Sequence, residues 1–212
     1  SYRNCQIKDE WYFLNARLKT KPGQKEEIQG RMKNIILMIS LCVGVATMSN
    51  AGQFIFKSAD GGLINLEEFK GKPVLVVNTA SRCGFTGQLE TLQKLSDTYT
   101  SDGLTVLAVP SNDFNQELAS IDAVKEFCTI NYNLTLPMTE ITSVRGKNAH
   151  PFFKWVKDIT GFSPKWNFNK ILIGPSGEIV QTFGSLTRPT SRVITSEIEK
   201  LLEQEVLDQA SG

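Results

Sequence analysis

A chain of 212 residues with a formal net charge of +1 and an ordinary apolar fraction of 41% has the material for one domain with a sizeable core. Its basic residues are scattered and its aromatics fall at core-like spacings, which argues against a nucleic-acid surface. Four cysteines, Cys5, Cys42, Cys83 and Cys128, with no CxxC pair and a single histidine, His150, argue against a structural zinc site.

Residues 1–31 carry many charges, no clear period and no initiator methionine. They read as an upstream segment outside the native mature protein, with Met32 as the natural start; a long polar leader extension is the alternative. Met32-Lys33-Asn34 then opens the apolar run Ile35 to Ala46, followed by small residues at Ser49 and Ala51. A positive start, an apolar stretch short of the roughly 18 residues that span a bilayer, and small residues at the end describe a secretory signal peptide over 32–51. The expectation is an exported, periplasmic protein cleaved after Ala51, with no stable membrane association once mature. A retained signal anchor is the alternative, and without a working signal the protein is cytoplasmic.

From Gly52 to Gly212 the chain reads as one domain. Phe54 and Phe56 alternate with polar positions, and Gly61-Gly62 marks a turn before Ile64 and Leu66, so an N-terminal β-hairpin is expected. Val74-Leu75-Val76-Val77 is a short β-branched run, the pattern of a strand covered on both faces. Leu89, Leu92, Leu95 and Tyr99 then recur at helical spacing over Gln88 to Tyr99. Asp102-Gly103 turns into a strand over Leu104 to Val109, and a helix follows around Ile121 to Ile130. Phe152, Trp155, Val156 and Ile159 share one face of a helix from Pro151. The last third reads as a strand over Lys170 to Ile173, a turn at Gly174-Pro175-Ser176-Gly177, a strand over Glu178 to Phe183 and a helix from Ser191 to Leu202. This βαβ unit with a terminal ββα is the layout of a thioredoxin-like α/β fold, a central mixed sheet flanked by helices.

Cys83 falls between the Val74 strand and the Gln88 helix. A thiol there meets backbone N–H groups and the positive end of a helix dipole, and Arg82 adds charge of the same sign; all favour the thiolate. Position alone leaves catalysis and simple packing both open, because buried cysteines are common. Trp166-Asn167 likewise reads as either a functional pair or a core Trp with a turn Asn. His150, beside Pro151 at a helix start, reads as a cap or packing residue.

Four segments in order narrow these choices: Asn78 to Thr86, Val109-Pro110-Ser111-Asn112-Asp113-Phe114, Ala149 to Trp155, and Lys165-Trp166-Asn167-Phe168-Asn169-Lys170. Together they resemble the glutathione peroxidase family, from about Gly52 to Leu202. The resemblance implies that Cys83, in Cys83-Gly84-Phe85-Thr86, is the peroxidatic cysteine and that Trp166 and Asn167 are its partners. It makes Gln116 the third partner, although Asn112-Asp113-Phe114-Asn115-Gln116-Glu117 is one residue shorter than the family's usual loop and has Asp113 in place of a Gln. Cys128 lies in a segment resembling the resolving-cysteine helix of the compact, thioredoxin-dependent, two-cysteine branch.

The resemblance thus implies a thiol peroxidase acting on hydrogen peroxide and organic or lipid hydroperoxides. It implies a Cys83 sulfenic acid, a Cys83–Cys128 disulfide and recycling by a thioredoxin-like protein, without cofactor or metal. Donors without charge, an indole N–H and two amides, suit the step, since they stabilise developing negative charge and leave a neutral peroxide free to enter. By the same resemblance, the short connection from Ile159 to Lys165, without the long insertion that builds a subunit interface in tetrameric relatives, implies a monomer or weak dimer with an open site. Other readings are a glutathione-dependent one-cysteine peroxidase, a noncatalytic peroxide sensor, and a thiol–disulfide oxidoreductase, against which Thr86 stands where a second cysteine is normally required.

Overall fold

The computed structural model describes residues 50–211. The upstream segment 1–31 and the expected leader, apart from Asn50 and Ala51, lie outside the described residues. These two belong to the domain's packing: Ala51 is buried, its N–H donates to Gly177 O at 2.7 Å, and the Asn50 side chain accepts from Gly52 N–H at 3.0 Å. Cleavage after Ala51 would yield a domain without those contacts.

The hairpin pairs β1 (Ile55–Lys57) with β2 (Leu63–Asn65) antiparallel. The main sheet contains β3 (Val74–Thr79), β4 (Thr105–Pro110), β5 (Lys170–Ile173) and β6 (Ile179–Phe183), in the order β4-β3-β5-β6. β3 runs parallel to β4 and antiparallel to β5, so the sheet is mixed as expected. Helices are α1 (Gln88–Tyr99), α2 (Ile121–Tyr132), α3 (Pro151–Thr160) and α4 (Arg192–Ser211).

Every residue of β3 is buried, which is what its uninterrupted apolar run required. Side chains alternate between faces of a strand, and the core divides accordingly. Leu75 and Val77 join Leu89, Leu92 and Leu95 of α1, Val124 of α2 and Ile194 and Ile198 of α4. Val74 and Val76 join Phe152, Phe153 and Trp155 of α3 and Phe56 of the hairpin. Both Cys83 and Cys128 belong to the first cluster.

Some boundaries differ from expectation. β4 begins one residue late because Gly103, at φ 116°, turns the chain and Leu104 N–H bonds back to Tyr99 O at 3.1 Å. Glu178 leaves β6 because its carbonyl accepts from Gly174 N–H at 2.9 Å, closing the turn. α4 continues well past Leu202.

One element of the fold is unusual in charge. Lys170 opens β5 with its side chain fully buried, and Nζ donates to Gln88 Oε1 and to Thr187 O, each at 2.5 Å. It stitches the sheet to the start of α1 and to the loop after β6. Burial pushes its pKa down to about 7 from 10.5. Between those values the unfolded chain holds a proton that the folded chain does not, so Lys170 favours folding most above pH 10.5 and loses that contribution as pH falls to about 7. Lys170→Met removes the titration. The stability of the native protein minus that of the variant is expected to rise by about 2 kcal/mol between pH 7 and pH 9. Denaturant unfolding of both proteins at the two pH values measures it; a constant difference contradicts the assignment.

Candidate active site

Cys83 lies in a tight turn after β3, five positions before α1 begins, not at the helix terminus itself. Thr86 builds that turn. Its Oγ1 accepts from Cys83 N–H at 3.0 Å and donates toward Cys83 O and Ala80 O. The turn aims Phe85 N–H at the thiol, with N to Sγ at 3.4 Å. Backbone donation therefore reaches the sulfur as expected, but it comes from the turn. Cys83 is 8% exposed, close under the surface, so a small reactant need displace little to reach it.

The shortened loop after β4 nonetheless delivers Gln116. Asn115 adopts φ 57°, a left-handed conformation that Asn tolerates, and Asn112 bonds both Asn115 N–H through its carbonyl and Glu117 N–H through Oδ1. Gln116 O accepts from Arg82 N–H at 2.8 Å, fastening this loop to the residue before Cys83. Gln116 Oε1 accepts from Asn167 Nδ2 at 2.8 Å. Asn167 is fully buried, and its Oδ1 has no hydrogen-bond partner among the described residues.

The loop carrying Trp166 and Asn167 is held by two asparagines. Asn78 Nδ2 and Asn169 Nδ2 donate to Trp166 O at 3.0 and 2.5 Å, and Asn78 Oδ1 accepts from Asn169 N–H at 3.0 Å. Phe168 takes φ 61° while its ring is fully buried. A left-handed backbone at a bulky residue is strained, and ring burial together with these amide bonds holds it there. Trp166 remains 40% exposed and packs at 5.5 Å against Phe114. The structure thus joins Gln116 and Asn167 directly and brings Trp166 alongside through Phe114 and the loop backbone.

Cys83 and Cys128 are both free thiols. Cys128 is buried in α2, and burial together with the nearby Glu117 charge pushes its pKa up to about 12. Glu117 is itself buried, with Oε1 accepting from Ser81 N–H and Leu118 N–H. Desolvation raises its pKa against the lowering effect of those bonds.

The supporting bonds made by Thr86, Glu117 and Asp113 are not evident in the sequence, although Thr86 lies in the matched motif and Asp113 marks the altered loop. Thr86 had a local signal, a hydroxyl at i+3 from the cysteine, the spacing of a side-chain turn. Glu117 and Asp113 had none. Asp113 accepts from Ser143 Oγ, Val144 N–H and Arg145 N–H, a contact some thirty positions away in sequence. His150 caps α3, with Nδ1 accepting from Phe152 N–H at 3.3 Å and Nε2 facing Ile55 O at 3.0 Å. A carbonyl can only accept, so Nε2 carries the proton, and the neutral ring stacks on Phe56 at 4.0 Å. Burial lowers the pKa of His150, consistent with a structural cap.

A family profile described as "Glutathione peroxidase" matches residues 52–157. The chain is 40% identical over 163 residues to the "Hydroperoxy fatty acid reductase gpx1" of Synechocystis, covering 70% of this chain and 94% of that protein. It is 39% identical over 154 residues to the "Glutathione peroxidase-like peroxiredoxin 2" of Saccharomyces cerevisiae, again covering 70% of this chain and 94% of the relative. Among solved structures, "Trgpx in apo form" superimposes with a TM-score of 0.60 at 30% identity, covering 74% of this chain and 97% of that one.

Proposed function

The chain belongs to the glutathione peroxidase family, and from that premise we propose a thiol peroxidase in which Cys83 reduces hydroperoxides and a thioredoxin-like dithiol restores it. The Cys83 thiolate attacks the terminal peroxide oxygen. The O–O bond breaks, its electron pair leaves on the departing oxygen, and that oxygen takes a proton to become an alcohol or water. Sulfur is oxidised to the sulfenic acid as the peroxide is reduced. Cys128 then attacks the sulfenic sulfur, giving up its thiol proton, and the sulfenic oxygen leaves as water. An external dithiol reopens the Cys83–Cys128 disulfide by exchange.

The observation that carries this reading is the fastening of Gln116 to both Arg82 and Asn167, which sets an amide pair beside the cysteine turn. In the proposed step that pair and the Trp166 indole stabilise charge on sulfur and on the departing oxygen. Asn167→Ala removes the buried anchor of the pair, and kcat/KM for hydrogen peroxide is expected to fall by about 10²-fold. A fall of less than twofold in a folded variant removes Asn167 from the site.

Relatives named for hydroperoxy fatty acid reduction and as peroxiredoxins support organic hydroperoxides as substrates and a protein dithiol as donor. We further place the enzyme outside the cytoplasm, exported by the leader at 32–51, as a monomer or weak dimer. Peroxide-dependent NADPH oxidation, coupled in parallel to thioredoxin with its reductase and to glutathione with its reductase, tests the donor. Faster turnover with thioredoxin is expected; turnover with glutathione alone reassigns the protein to a one-cysteine mechanism.

A further inference from the structure

Among the described residues Glu117 is the only buried acid, 6% exposed, and the peroxidase cycle so far gives it no part. It directly follows Gln116, and its two oxygens differ. Oε1 accepts from Ser81 N–H at 3.0 Å and from Leu118 N–H at 2.8 Å, which ties the carboxylate to the residue two before Cys83. Oε2 is buried and has no hydrogen-bond partner among the described residues. An oxygen left in that state costs free energy, and it keeps a lone pair free to take a proton.

The same carboxylate bears on the second cysteine. Leu118 packs on the core cluster that contains both Cys83 and Cys128. Burial and then the Glu117 charge raise the Cys128 pKa. A carboxylate and a thiolate close together in a dry site do not both hold charge cheaply, and sharing a single negative charge is favoured. Cys128 therefore loses its proton at least cost by handing it to Glu117. Burial raises the Glu117 pKa against the bonds from Ser81 and Leu118 and the charge of Arg82, which brings it closer to that of a thiol and makes it a stronger base. Even in water a thiol is only a few per cent ionised at pH 7, so a nearby acceptor speeds its attack.

We infer that Glu117 is the base of the resolving step, with Oε2 taking the Cys128 proton as that sulfur attacks the Cys83 sulfenic acid. The S–S bond forms as the S–O bond breaks; the Cys128 sulfur is oxidised and the sulfenic sulfur reduced. The departing hydroxide takes the proton from Glu117 and leaves as water, which regenerates the carboxylate. This assignment rests on the two-cysteine reading of Cys83 and Cys128 and adds to it the route of the proton.

The test gives native protein and Glu117→Gln one equivalent of hydrogen peroxide without donor, quenches in acid at intervals, and follows the sulfenic acid and the disulfide on Cys83 by mass spectrometry from about pH 5 to pH 8. Glutamine keeps an acceptor for the Ser81 and Leu118 N–H groups and loses the charge. Native disulfide formation is expected to rise as Glu117 ionises and then to stay level. In Glu117→Gln it is expected to be about 10²-fold slower at pH 7 and to climb about tenfold per pH unit. Equal rates in the two proteins reduce Glu117 to a brace and overturn the inference. A faster Glu117→Gln overturns it too, since the carboxylate then only repels the Cys128 thiolate. If Glu117→Gln does not fold, the native profile decides alone: a rate climbing in proportion to hydroxide, with no level stretch, overturns the inference. If native Cys83 is oxidised and no Cys83–Cys128 disulfide follows, the two-cysteine reading fails first and the inference with it.

Discussion

Replacing Cys83 by serine is expected to lower kcat/KM for every hydroperoxide by at least about 10³-fold, the scale seen when a nucleophile is removed from an otherwise intact site. A serine hydroxyl is not ionised near neutral pH and is a poor nucleophile toward peroxide oxygen. The substitution preserves shape. Serine Oγ can accept the Phe85 N–H that now points at Sγ, and the Thr86 bonds that form the turn use only Cys83 backbone atoms. The fold is therefore expected to lose no more than about 1 kcal/mol, which thermal unfolding checks. Residual peroxide consumption near the native rate in a folded Cys83→Ser protein would end the proposed mechanism.

Cys128→Ser is expected to behave differently: one equivalent of peroxide is consumed rapidly, then thioredoxin-coupled turnover stalls, with the steady-state rate down by about 10²-fold or more. Mass spectrometry should find the sulfenic acid, or its trapped adduct, on Cys83. The reason for a separate second step lies in the packing of Cys128. With its pKa pushed up to about 12, only about one thiol in 10⁵ is ionised at pH 7 as packed. Attack on the sulfenic acid is expected to proceed through opening of the end of α2, which returns the thiol to water.

That end is exposed along one side and held chiefly by its cap. Beyond Cys128 lie Thr129, Ile130 and Asn131, all exposed, with Ile130 at 72%. The helix is closed by Asn133 in the left-handed conformation, whose N–H bonds Cys128 O and Thr129 O, and by Leu134 N–H to Cys128 O at 3.3 Å. Further toward the N-terminus, Lys125 ties α2 to Asp60 and Ala59 O of the hairpin turn, so unwinding should stop near that residue. Forming the disulfide is expected to speed amide exchange at Asn133 and Leu134. Protection unchanged between the dithiol and disulfide forms would show that the two sulfurs meet without local opening.

Legibility followed the range of the interactions. β3, α1 and α3 could be read because each writes its environment into a local period: an unbroken apolar run for a strand covered twice, and a helical repeat for one covered face. Cys83, Trp166 and Asn167 stand out as candidates through their resemblance to a family's motifs. Gln116 was harder, because the loop is one residue short and Asp113 stands where a Gln is usual. Its position depends on Asn115 accepting a left-handed backbone and on Asn112 bonding across the turn.

The burial of Lys170 had no local signal at all. A lysine at the start of a strand ordinarily reaches water, and only the approach of Gln88, 82 positions away in sequence, and of Thr187 supplies acceptors for it inside.

Residue types and local periodicity mark the candidates for the chemistry and the segments that form the sheet and its helices, since nucleophilicity, donor type and periodicity are properties of residues and their near neighbours. Tertiary contacts alone set the cysteine in a turn ahead of α1, joined Gln116 and Asn167 as one amide pair and withdrew Cys128 as a buried thiol. Each of these depends on hydrogen bonds and desolvation between segments far apart in the chain, and such forces exist only once the fold has brought them together.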